Sequence, residues 1–115
     1  MMTSTLIRDK DNFLSWLMQE RSISERAARD CFSRCKRVES ELNLDLSIDI
    51  STVSTYAETM LSIREYAYNL PASNKVATQN LAGGLRGAVK KYAEFKFPTK
   101  SLMYPAFHKH KYQLK

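Results

Sequence analysis

Apolar positions recur along most of this chain with the period of an α-helix, and four segments carry the pattern. The first runs from about Asp9 to Glu20, with Phe13, Leu14, Leu17 and Met18 on one stripe. "RSIS" interrupts it; Ser22 or Ser24 is placed to cap the next helix, and Ser22 with Glu25 has capping-box spacing. The second segment, about Glu25 to Asn43, gathers Ala27, Ala28, Cys31, Phe32, Cys35, Val38 and Leu42 on one side. Its other side collects Arg26, Arg29, Ser33, Lys36, Arg37 and Ser40, a basic face with interspersed hydroxyls.

"LDLSIDIS" alternates apolar and polar residues with no partner strand in view, which predicts an extended connector. Ser51 then opens a third helix, about Thr52 to Asn69, with Val53, Tyr56, Ala57, Met60, Ile63 and Ala67 inward. Its outer face, with Glu58, Ser62, Glu65 and Asn69, is neutral to acidic. Pro71 disfavours helical geometry at Leu70, and Ser73 or Asn74 caps a fourth helix, about Lys75 to Phe95. That helix should bury Ala77, Leu81, Leu85, Ala88, Val89, Tyr92 and Phe95, and turn Lys75, Gln79, Asn80, Gly83, Arg86, Gly87, Lys90, Lys91 and Glu94 outward. The expected architecture is an all-α, compact four-helix bundle over residues 1–97, followed by a basic, aromatic tail or linker over residues 98–115.

Three glycines change this picture. Gly83, Gly84 and Gly87 are all the chain contains, and they stand together inside the fourth helix, where each costs about 1 kcal/mol relative to alanine. Gly83 and Gly87 fall on the basic face, where a missing side chain lets a phosphate backbone come close; small residues equally suit tight packing of two helices. Charge is as unevenly placed. Residues 1–74 hold 9 Lys and Arg against 11 Asp and Glu, whereas residues 75–115 hold 9 against 1, so the last third carries the formal excess of +6 and more. Such asymmetry points to a polyanionic partner, nucleic acid ahead of a membrane surface.

Other chemistry finds little support. Cys31 and Cys35, four apart on a helix, read as reduced core thiols. With His108 and His110 their spacing matches no common structural zinc pattern, and nothing pairs either histidine with a nucleophile, so no metal, cofactor, small-molecule substrate or enzymatic activity is expected. No apolar run is long enough to span a bilayer and the first residues lack a signal peptide's apolar core, which predicts a cytoplasmic protein.

The order "NFLSWLMQERSISERAARDCFSRCKRVESEL", a connector, "ISTVSTYAETML" and "SNKVATQNLAGGLRGAVKKYAEF" resembles the N-terminal core-binding domain, often called SAM-like, of tyrosine recombinases and phage integrases. The likeness covers about residues 12–97. It rests on an aromatic and leucine-rich first helix, on Ser24 opening the second, and on the run from Leu81 through Leu85 and Arg86 to Tyr92. Where the family usually has threonine and then tyrosine after that serine, this chain has Ala27 and Cys31-Phe32, and its glycine cluster is denser. The resemblance implies contact with duplex DNA through the second and fourth helices, without the family's catalytic residues, which belong to a second domain.

The expected function is that of a non-catalytic, DNA-gripping module. Its phosphate contacts would come from Arg26, Arg29, Lys36, Arg37, Lys75, Arg86, Lys90 and Lys91, its clearance from Gly83 and Gly87, and its base contacts from Gln79 and Asn80. The rival from a different class is a protein-interaction module that docks through the glycine face and through Leu102, Met103, Tyr104 and Phe107; self-association through Gly83 and Gly87 is a third.

Overall fold

A computed structural model describes residues 4–71 and 74–105 of the chain. Among them are six α-helices and one 3₁₀ turn, with no strand. The all-helical bundle is borne out. Four long helices carry it, α2 (Lys10–Glu20), α3 (Glu25–Leu42), α5 (Val53–Asn69) and α6 (Lys75–Lys96), joined by two single turns, α1 (Thr5–Arg8) and α4 (Leu46–Asp49).

Three of the four long helices, α3, α5 and α6, start at a residue whose side chain takes up an otherwise unpaired backbone N–H. Ser24 Oγ accepts from Ala27 N at 3.2 Å, Thr52 Oγ1 from Thr55 N at 3.1 Å, and Asn74 Oδ1 from Ala77 N at 2.8 Å. Thus Thr52 does the work expected of Ser51. Ser22 sits instead in left-handed backbone at φ 55°, outside the helix, so the capping box with Glu25 does not form. Asn43 closes α3 in the same left-handed conformation, which asparagine tolerates, and Leu70 is extended ahead of Pro71.

The connector expected to be extended is helical. An extended chain would have put Leu44, Leu46, Ile48 and Ile50 on one side, but in α4 only Leu46 and Ile50, four apart, are fully buried, and Ile48 is 64% exposed. The turn is favoured because its first N–H groups find acceptors: Asp45 Oδ1 takes Ser47 N at 3.0 Å, and Glu39 Oε2, reaching back from α3, takes Leu46 N at 3.0 Å.

The core joins Phe13 and Leu17 of α2, Cys35 and Val38 of α3, Met60 and Ile63 of α5, and Leu85, Val89 and Tyr92 of α6. Two stripes are rotated from expectation. In α5 Val53 faces outward, Ala57 is half-buried, and Thr59 goes inside, its hydroxyl donating to Thr55 O at 2.9 Å. In α6 Thr78, Ala82 and Ala93 are buried, Leu81 and Phe95 half-buried, and Ala77 exposed. On α3, Ala27 is likewise outside and Leu42 half-buried, and Met18 of α2 is exposed.

At one end of the bundle Phe13 meets Tyr92 edge-on at 5.1 Å and Phe95 at 5.2 Å, with Trp16 beside Phe95 at 5.6 Å. Asp9 closes this cluster, accepting from Tyr92 Oη at 2.8 Å and pairing with Lys96 at 3.0 Å. Past α6 the chain turns back through the 3₁₀ turn (Lys100–Met103). Lys100 Nζ donates to Ser51 O, the Tyr104 hydroxyl donates to Ile50 O, and the Tyr104 ring lies 4.5 Å from that of Tyr56. Residues 98–105 of the expected tail are therefore held against the body, although Leu102 and Met103 remain about four-fifths exposed, at 80% and 76%. Ser73, Phe107, His108 and His110 lie outside the described residues.

Candidate nucleic-acid interface

α6 packs against both α3 and α5, and its rotation decides what each basic residue can reach. Successive helical residues stand about 100° apart, so neighbours such as Lys90 and Lys91 go to different sides. Lys91 lines a groove of about 420 Å³ between α6 and α3, together with Gly83, Gly84, Gly87 and Ala88 of α6, Ala27, Cys31 and Arg34 of α3, and Ile23. Lys90 lines a separate cavity with Tyr56 of α5 and the returning segment at Ser101 to Pro105. Gln79 and Arg86 follow Lys90 to the α5 flank by the same rotation, and both are half-buried. By this rotation the α6 cations share its outward side but border different neighbours, α3 for Lys91 and α5 for Lys90. The helix has a ridge formed by Asn80, Gly83 and Gly87, with cations down either side.

That ridge is bare without any packing reason. A Cβ added at Gly83 or Gly87 would meet nothing within 4 Å, and one at Gly84 would meet Arg34 Nε at 3.5 Å, an ordinary contact. None of the three has positive φ. Neither turn geometry nor close packing of helices inside the bundle therefore requires glycine here. Three positions where alanine would fit form the floor of a shallow, open concavity.

Arg34 stands over this floor, across from Lys91. Sequence patterning left it out because its place is at the margin of the apolar stripe of α3, one turn from Cys31 and beside Cys35; the signal available was a guanidinium at the seam of two predicted helices. The remaining α3 residues spread outward. Arg26, Arg29 and Lys36 are exposed, with Arg29 held by Glu25 at 2.8 Å and the Lys36 ammonium 5.9 Å over the Phe32 ring. Arg37 is turned toward α5, where its Nε and Nη2 donate to Tyr66 Oη at 3.2 and 3.1 Å and its guanidinium covers that ring at 5.7 Å. Lys75 is exposed at the first turn of α6.

Beneath the groove the two thiols point at one acceptor, Ala88 O, from Cys35 at 3.3 Å and Cys31 at 3.9 Å. Cys31 is held below the ordinary thiol range by its hydrogen bond with Cys35 and by the charges of Lys91 and Arg34, against the desolvation that burial imposes; burial pushes Cys35 well above it. Among the described residues no group of three or more His, Cys, Asp or Glu side chains is gathered as a metal site, and no helix is long and apolar enough to cross a membrane.

Comparison with protein-family models, with curated proteins and with solved structures finds no match to this chain.

Proposed function

We propose that the chain is a non-catalytic DNA-binding domain of the integrase core-binding kind, and that the sugar-phosphate backbone of a duplex crosses α6 at Gly83 and Gly87. The single observation that carries this proposal is the glycine ridge: three residues, each costing about 1 kcal/mol in a helix, stand where the fold has room for a methyl group. A partner from outside explains the missing side chains, and the charge around them selects its chemistry. Arg34 and Lys91 line one side of the ridge, Arg86 and Lys90 the other, and the exposed Arg26, Arg29 and Lys36 extend the positive field along α3. Phosphates seated on backbone that nothing covers, between cations on both sides, fit this arrangement. Asn80, exposed in line with Gly83 and Gly87, is placed to reach base edges; half-buried Gln79 is less so.

The test is fluorescence anisotropy with a labelled random duplex of about 25 base pairs across a salt series. With six or more phosphate contacts, affinity should fall roughly a thousandfold between about 50 and 200 mM salt. Arg34→Gln with Lys91→Gln should weaken binding and flatten the salt slope by about two. A flat salt response, or binding indifferent to that pair, sinks the proposal.

A further inference from the structure

The flank of α6 away from the glycine groove borders a second surface, whose apolar residues the fold does not use. Val53, Leu61 and Tyr68 of α5 are 45%, 51% and 42% exposed. Spaced i, i+8 and i+15, they lie within about 80° of one another around the helix and mark a line roughly 22 Å long. Ala57, half-buried, and Arg64, exposed, fill the same line at i+4 and i+11. Isolated apolar residues are common on protein surfaces, but a line with the spacing of a helix-packing seam is a different object.

We propose that this seam receives an amphipathic helix of a partner protein, one whose apolar stripe is bordered by glutamate or aspartate on the side that meets α6. Charge selects that occupant. Along the α6 edge of the seam stand Lys75, Arg86 and Lys90, and the Arg64 guanidinium sits within the line, 4.9 Å over the Tyr68 ring. Glu58 and Glu65 border the opposite edge, so the two edges differ in sign and set the direction from which an acidic flank is accepted. Duplex DNA fits poorly, because this surface is largely methyl and ring with carboxylates beside it. The seam lies apart from the Arg34 and Lys91 groove but shares Arg86 and Lys90 with the other side of the glycine ridge, so the two ligands are followed separately.

The probe is a fluorescein-labelled synthetic helix of about 18 residues, long enough for several turns, with leucine on one face and glutamate flanking it. Titrated against the full chain, it should bind roughly tenfold or more tighter than the same peptide with lysine for glutamate, or with its leucines scrambled. Leu61→Ser with Tyr68→Ser should cut that binding roughly tenfold or more, with the thermal midpoint and duplex affinity both retained, while Leu61→Met keeps it. Three results overturn the proposal: no binding of the glutamate peptide, equal binding of its lysine version, or indifference to the double substitution. A dimer in light scattering that the double substitution dissolves overturns it as well and assigns the face to a second copy. Because duplex binding is followed on the same variants, failure of either proposal leaves the other standing.

Discussion

The two halves of α6 put one continuous backbone to opposite uses. From Val89 onward the helix is dense with contact: Tyr92 and Phe95 interlock with Phe13 and Trp16, Asp9 ties Tyr92 to Lys96, and Glu94 holds Arg21 at 3.0 Å. Between Asn80 and Gly87 the outward side is stripped to main chain, and the space over it stays open. Large side chains in the C-terminal half gain stability; missing side chains in the N-terminal half forgo it. Separating the two along one helix means that the surface read here as a binding site can be reshaped without touching the packing that positions it.

The largest effect should come from breaking the dense half. Phe13→Ala removes a fully buried ring from the middle of the aromatic cluster and should cost about 3–5 kcal/mol in urea unfolding, with duplex affinity of the remaining folded protein little changed. Filling the bare half should do the reverse. Gly83→Ala with Gly87→Ala should raise stability by about 1.5–2 kcal/mol, since both methyl groups enter open space, while lowering duplex affinity. Stabilisation with unchanged affinity would show that nothing approaches the backbone there, and the contrast between the two halves would lose its functional meaning.

The smallest effect sharpens the comparison by pH. Burial first, and then donation to Asp9, push the Tyr92 hydroxyl far above the ordinary phenol range. Tyr92 therefore contributes its full stability below about pH 10, where tyrosine is protonated in both states. As pH rises further, the unfolded chain ionises before the folded one and that stability is lost. Tyr92→Phe should cost about 1 kcal/mol near neutrality and make the alkaline decline shallower, measured as the urea midpoint between about pH 8 and 11. Tyr104, raised by its own burial, adds to the decline in the same direction, so some slope should persist.

The long helices were legible because Phe13 to Leu17, Cys31 to Val38, Tyr56 to Ala67 and Leu85 to Tyr92 repeat one stripe over several turns, and because Ser24 and Asn74 announce their starts. The phase of α6 was harder to read. Alanine at positions 77, 82, 88 and 93 gives little contrast between inside and outside, so a modest rotation exchanged Ala77 for Thr78 and Ala82 at the core. α4 was hidden for another reason: four alternating apolar residues suit a strand or a helical turn, and what decides is Glu39, a side chain from a different helix. At the candidate site the glycines and most of the cations could be named from sequence. That Lys90 meets α5 and Lys91 meets α3, that Arg34 overlooks Gly84, and that open space remains above Gly83 and Gly87 depend on neighbours the linear pattern does not specify.

α4 is also where distant parts of the chain meet. α1 packs against it, and the carbonyls of Ile50 and Ser51 just beyond it receive Tyr104 and Lys100. Asp9, which follows α1 directly, and Tyr92, 83 positions apart, join close by. A ribosome delivers such a chain amino end first, so Phe13 and Ile50 emerge well before the rings that cover them. The fold latches late in synthesis, and a nascent chain stalled ahead of Tyr92 presents both apolar residues to chaperones and to other nascent chains.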